Sequence, residues 1–214
     1  MTSLTLYGRP GWGSVLIEAQ LVWYGIPFTI AEVGDLFVEE AARQRLAEVN
    51  PLAQVPTVVD ADGELLTESA AITLWLAERT ASAELVPAPD APERAQFLRW
   101  LVFLVANVYP TYTYVDDPAR FVPDAAARSG FAQTVGDYRA RLYAMLDGTA
   151  AMPWFLGERF SALDLYVAAM SYWEPGRHWF AAEAPKLLAI ARTTETLPKI
   201  AHVFERNFGS PTAG

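Results

Sequence analysis

Two places in this sequence put a hydroxyl where a helix should begin. Ser14 follows the glycine- and proline-rich run Tyr7-Gly-Arg-Pro-Gly-Trp-Gly13, and Ser69 follows Thr67-Glu68. A helix N-terminus offers unpaired N–H groups and partial positive charge, so either place can hold an anion. Each also has a purely structural reading. Ser14 can simply cap its helix, as can Thr67 or Ser69, with Glu68 favouring the dipole. A third pair, Ser161 and Asp164, has the S-x-x-D spacing of a capping box and reads as structural. Phe160 before it and Leu165 after it fit a hydrophobic staple. Trp12, Tyr109, Tyr112 and Tyr114 supply aromatic surface for a cleft wall, or equally for core packing. Metal chemistry lacks ligands: there are no cysteines, and His178 and His202 are the only histidines.

The elements that would carry these residues fall in a definite order. Leu4 to Tyr7 is a short apolar β-prone run, followed by a helical pattern that Gly25 ends. Ile26 to Val33 reads as a strand and Glu39 to Val49 as a helix stopped by Asn50-Pro51. Pro56 to Asp60 and Glu64 to Leu66 read as strands joined by the turn Ala61-Asp62-Gly63. Glu68 to Glu78 closes the series as a helix. The order β-α-β-α-β-β-α in residues 1–80 describes a thioredoxin-like domain. A linker over 81–92 carries Pro87, Pro89 and Pro92. Residues 93–214 are helical in pattern, with one long helix from Glu93 to about Tyr114. Further helices are expected over Ala125 to Leu146, Ser161 to Tyr172, Pro185 to Arg192 and Pro198 to Phe208.

Composition narrows the classes. The chain has 214 residues, 52% hydrophobic and 19% charged, which is ample for packed cores. Disorder is expected only at Ser210 to Gly214. The formal net charge of −9 repels phosphate backbones, and no basic patch offsets it. Nucleic acid is therefore not an expected partner. Absent cysteines rule out disulfides and any CxxC redox pair. No leader is evident in the first residues, and no apolar run is long enough to span a membrane. The expectation is a cytoplasmic protein without membrane or metal.

Three segments resemble the cytosolic glutathione S-transferases, in order and almost end to end. Asn50-Pro-Leu-Ala-Gln-Val-Pro-Thr57 is similar to the family's "NP-x-G-x-VP" stretch. Leu66-Thr-Glu-Ser-Ala-Ala-Ile72 is similar to "ES-x-A-I". Phe155-Leu-Gly-Glu-Arg-Phe-Ser-Ala-Leu-Asp164 is similar to "G-x-x-F-S-x-A-D". The resemblance implies the family architecture: a thioredoxin-like α/β N-terminal domain, then an all-α domain. It implies glutathione as co-substrate, gripped by Gln54, Val55, Pro56, Glu68 and Ser69. The Val55-Pro56 bond would be cis, and the Val55 backbone would pair with the cysteinyl unit like an added strand. Ser69 would take the γ-glutamyl carboxylate and Glu68 its ammonium group. A homodimer is implied as well.

The thiol-activating group is the point of departure. Family members use a tyrosine, serine or cysteine near the end of the first strand. Tyr7 stands where the tyrosine classes carry their hydroxyl. The segment Pro10-Gly-Trp-Gly-Ser14 resembles the bacterial beta class, whose cysteine would fall on Gly13. A free thiol titrates near about 8.5, and one unit is worth about 1.4 kcal/mol. A helix N-terminus supplies about 0.3–1 kcal/mol, and a hydrogen bond to a charged group about 1.5–3. One hydroxyl donor is therefore expected. Ser14 and Tyr7 are the candidates, with Tyr109 as a third, near where beta-class proteins place a histidine facing the thiol. Trp12, Tyr109 and Tyr112 would line the electrophile pocket. The leading expectation is conjugation of glutathione to a hydrophobic electrophile. The alternatives are glutathione-dependent reduction of peroxides or disulfides, and a non-catalytic member that only binds glutathione or apolar ligands.

Overall fold

The computed structural model describes residues 4–209. The tail at Ser210 to Gly214 lies outside the described residues. Strand β1 (Leu4–Gly8) runs into helix α1 (Val15–Tyr24), β2 (Phe28–Glu32), α2 (Glu40–Ala47), β3 (Thr57–Val59), β4 (Leu65–Leu66) and α3 (Ser69–Thr80). The sheet order is β2-β1-β3-β4, with β1 and β2 parallel and the other two pairings antiparallel. This is the thioredoxin-like arrangement that the element order implied.

Helix α1 shows why the two halves hold together. It is apolar nearly all round, and Val15 to Leu21 is buried without a break. Ile17 and Leu21 pack on the sheet with Leu4, Leu6, Val58, Ile72 and Leu76. Val15, Leu16 and Ala19 belong instead to the core of the helical half, beside Phe97, Leu101 and Tyr166. Gly25, in the left-handed region at φ 66°, ends the helix, and the Ile26 N–H returns to the Leu21 carbonyl.

The helical half comprises α4 (Arg94–Phe103), α5 (Tyr109–Asp116), α6 (Arg128–Thr149), α7 (Ala162–Met170), α8 (Arg177–Glu183), α9 (Pro185–Glu195) and α10 (Ala201–Phe208). Its first helix differs from the expected single rod. A π turn, Leu104–Val108, separates α4 from α5. Pro110 explains it. Proline has no N–H, and its ring excludes the carbonyl four residues back, so the ordinary ladder fails at Ala106. A widened turn absorbs the misfit and re-aims the residues that follow, Tyr109 first. Helix α8 was not anticipated: seven residues beginning at Arg177 are too few to show a period.

The Ser161–Asp164 box caps α7 as expected. The Ser161 hydroxyl accepts from the Leu163 N–H, and the Asp164 carboxylate accepts from Ser161 N–H and Phe155 N–H, both at 2.7 Å. Phe160 packs on Trp23 and Trp154. Asp164 is fully buried, and burial raises its carboxyl from 3.8 to about 6, although the hydrogen bonds pull it down. The raised value means that the charged form costs stability above pH about 6. That cost is relieved as the pH falls towards 3.8. Asp164→Asn removes the titration and one good acceptor. It is expected to cost about 1–2 kcal/mol at pH 7, and its deficit against wild type should widen between pH 7 and pH 5 in urea unfolding. A pH-independent deficit would show that the carboxyl does not titrate in that window.

Candidate active site

A cleft of about 760 Å³ lies between the two halves. Its walls come from the β1–α1 turn, the approach to β3, the start of α3, and α5 with α6. Gln54, Val55, Pro56, Glu68, Ser69, Trp12, Tyr109, Tyr112 and Tyr114 all line it. Residues scattered over some hundred positions in sequence thus share one space.

The Val55–Pro56 bond is cis, as the resemblance implied. Asn50 fixes the segment before it. Its side-chain amide donates to the Gln54 carbonyl at 3.2 Å and the Thr57 hydroxyl at 3.0 Å, and its oxygen accepts from the Leu52 N–H. Asn50 and Thr57 are buried, so this is a satisfied internal brace.

Glu68 is one of three described non-glycine residues with positive φ, at 62°. A left-handed conformation at a bulky residue is uncommon and is held by its surroundings. It turns the chain abruptly into α3. No side chain caps that helix, so neither Thr67 nor Ser69 acts as its cap. The N-terminus of α3 therefore opens into the cleft with its N–H groups unclaimed by a capping side chain. Ser69 is buried at 7% exposure, beside Tyr166 on α7. Tyr166 also meets the Thr73 hydroxyl, which accepts from Gln20. This polar string ties α1, α3 and α7 together behind Ser69.

The structure does not bring Ser14 or Tyr7 to the cleft. The Ser14 hydroxyl donates to the Arg9 carbonyl at 3.2 Å and accepts from the Arg9 N–H at 3.1 Å. It is spent on bracing its own turn and does not cap α1. Tyr7 is not among the lining residues; it packs with Leu36, Ala42 and Leu46 by α2, in the cluster that Trp12 and Val55 join, and not under the helical half. A one-residue step along a strand reverses the face, so Tyr7 points away from the sheet core that Leu4 and Leu6 join.

Tyr109 is the hydroxyl that does arrive. A Cβ built on Gly13 would lie 1.8 Å from the Tyr109 oxygen, 3.0 Å from its Cζ and 3.3 Å from the Val55 carbonyl oxygen. The phenol therefore fills the space directly over Gly13, where a longer residue would project. A side chain at 13 and the Tyr109 hydroxyl exclude each other. Burial raises the Tyr109 hydroxyl well above its ordinary value, so it remains a neutral donor at any ordinary pH. Trp173 packs edge-on against Tyr109 and Tyr112. Its indole N–H donates to the Gly11 carbonyl at 2.7 Å, while Asn207 on α10 accepts from the Gly11 N–H. The turn beneath Tyr109 is thus clamped from the helical half. The Tyr112 hydroxyl donates to the Glu174 carbonyl and shares a 2.6 Å bond with Tyr143, leaving its ring to the cleft.

Comparison with known proteins gives the family. The family model "Glutathione S-transferase, N-terminal domain" matches residues 18–79. An uncharacterised GST-like protein, YncG of Escherichia coli strain K12, is 40% identical over 205 residues, covering 95% of this chain and 98% of that protein. The chain belongs to the glutathione S-transferase family. Glutathione S-transferase GstA of Escherichia coli O157:H7 is 24% identical, over 79% of this chain and 82% of its own. Among solved structures, a glutathione transferase homologue from Sulfitobacter with bound glutathione superposes with a TM-score of 0.85 at 23% identity, covering 96% and 98% of the two chains. That likeness establishes the transferase fold and carries no residue roles.

Among the lining residues of this family member that escaped sequence reasoning, two stand out. Arg139 on α6 and Trp173 both face the cleft. A signal existed for Arg139: it falls on the stripe Val135, Leu142, Tyr143 and Leu146 that α6 buries. A cation on the apolar stripe of a helix marks something that must be satisfied. Among the described residues no group of histidine, cysteine and carboxylate could hold a metal, and no helix is long and apolar enough to cross a membrane.

Proposed function

We propose that this chain binds glutathione in the cleft and joins its sulfur to the carbon of a hydrophobic electrophile, with the Tyr109 hydroxyl as donor to the thiolate. The observation that carries the reading is the Tyr109 oxygen seated over Gly13, facing the Val55 carbonyl across a space that Glu68 and Ser69 share. The open N-terminus of α3 and the Ser69 N–H suit the γ-glutamyl carboxylate. Glu68 suits its ammonium group, and the Val55 backbone suits the cysteinyl amide. Glutathione in this pose brings its sulfur towards Tyr109.

The chemistry then follows from charge. The thiol loses its proton to solvent, because a phenol that burial keeps neutral cannot serve as the base. The Tyr109 O–H donates to the sulfur anion and holds it in a partly desolvated site. With chlorodinitrobenzene the sulfur forms a C–S bond, the C–Cl bond breaks, and chloride leaves with its electron pair. Trp12, Tyr112 and Tyr114 offer the apolar surface on which an aromatic electrophile lies.

Calorimetric titration with glutathione tests the binding half. Wild type should bind, and Ser69→Ala should bind about tenfold more weakly, the worth of one hydrogen bond to a carboxylate. No heat of binding to wild type would overturn the reading.

A further inference from the structure

The far end of the cleft contains a cation without a counter-ion. Arg139 projects from α6, is only 6% exposed, and lines the cleft. Its Nε is buried with no hydrogen-bond partner. No ion pair or hydrogen bond among the described residues engages its guanidinium. Its guanidinium carbon sits over the face of Tyr112, 4.5 Å from the ring centroid. A cation–π contact leaves every N–H of the fork unused. Arginine is almost never buried this deeply without an anion.

The neighbouring acids do not supply one. Asp116, at the end of α5, also lines the cleft. Much of that residue is exposed, yet crowding by the cleft wall raises its carboxyl, with Arg139 pulling the other way. The two form no ion pair. Asp117 and Glu174 line the same space, and the Glu174 carbonyl is taken by Tyr112. Arg120 lines it too. The buried position of Arg139, on the wall that also carries Tyr112, puts its charge beside the aromatic surface and on the helical side of Tyr109.

We infer that the electrophile carries a carboxylate, which the Arg139 guanidinium binds while Tyr112 and Trp12 hold its apolar body. A planar fork matches a carboxylate in two parallel hydrogen bonds. This inference rests on the glutathione reading above, because it assigns the second substrate of the same cleft. The substrate class is therefore an apolar, preferably aromatic, electrophile bearing an acid group a ring's length from the reacting carbon.

The test uses two adducts that differ only in that group, S-benzylglutathione and S-(4-carboxybenzyl)glutathione, with plain glutathione as reference. Wild type should bind the carboxybenzyl adduct about 10- to 100-fold more tightly than the benzyl adduct, the worth of a charge-assisted pair. Arg139→Gln should abolish that preference and leave glutathione affinity unchanged. Arg139→Lys, which keeps the charge on a stem and guards against a folding defect, should retain part of it. Equal affinity of wild type for both adducts overturns the inference whatever the variants do. So does a preference that survives Arg139→Gln. Failure of wild type to bind plain glutathione overturns the underlying reading instead, and the two failures are told apart by that arm.

Discussion

Tyr109→Phe is expected to lower kcat/KM for glutathione and chlorodinitrobenzene by about 10- to 100-fold, with little change in glutathione affinity. The size follows from one hydrogen bond to a charged sulfur, about 1.5–3 kcal/mol. The phenylalanine keeps the ring among Tyr112 and Trp173, so packing is spared and the hydroxyl alone is removed. The same loss must appear as a shifted titration. At about 1.4 kcal/mol per unit, the bound thiol should titrate one to two units higher in the variant, read from thiolate absorbance against pH. Ser14→Ala and Tyr7→Phe supply the contrast. Ser14→Ala removes two bonds to Arg9 and should cost about 1–2 kcal/mol of stability, yet the thiol titration should stay in place. A silent Tyr109→Phe beside a damaging Ser14→Ala would return the donor role to the turn.

The contrast between those hydroxyls also marks where sequence reasoning ran out. Strand order, helix order and the capping box were legible, because periodicity, glycine stops and the S-x-x-D spacing are local signals. Local too was the position of Glu68 and Ser69 at the start of α3. The direction of Tyr7 was not, since its face depends on which side of β1 the helices pack, and that is decided by long-range burial. Ser14 was correctly placed at the start of α1, but its hydroxyl closes the turn it sits in. Tyr109 gained its aim from the π turn that Pro110 enforces, a one-residue change in helical phase that no hydrophobic pattern records. Arg139 was legible in principle as a cation on an apolar stripe. What it faces required the cleft.

Gly13→Ala should be the most disruptive small substitution in the cleft, and the reason for it explains the missing cysteine. A methyl at position 13 meets the Tyr109 oxygen at 1.8 Å and the Val55 carbonyl oxygen at 3.3 Å. Neither can simply yield. The phenol stands on the first turn of α5 with Trp173 against its edge. The turn that holds Gly13 is clamped through Gly11 by Trp173 and Asn207. Overpacking of this kind costs about 1–3 kcal/mol, and turnover should fall at least as far as in Tyr109→Phe, because the displaced hydroxyl no longer meets the sulfur. The double variant decides the cause. In a Tyr109→Phe background the atom at 1.8 Å is gone and the nearest ring carbon lies at 3.0 Å, so adding Gly13→Ala should cost about 1 kcal/mol less than it does in wild type, a coupling well above the error of a double-mutant cycle. Strict additivity in urea unfolding would place the cost in the turn's backbone and remove the link between the two positions. With the coupling present, glycine at 13 is the partner that a tyrosine at 109 requires. The cysteine that the resemblance to the beta class would put at position 13 and this tyrosine are then alternative occupants of one space, and this chain has taken the second.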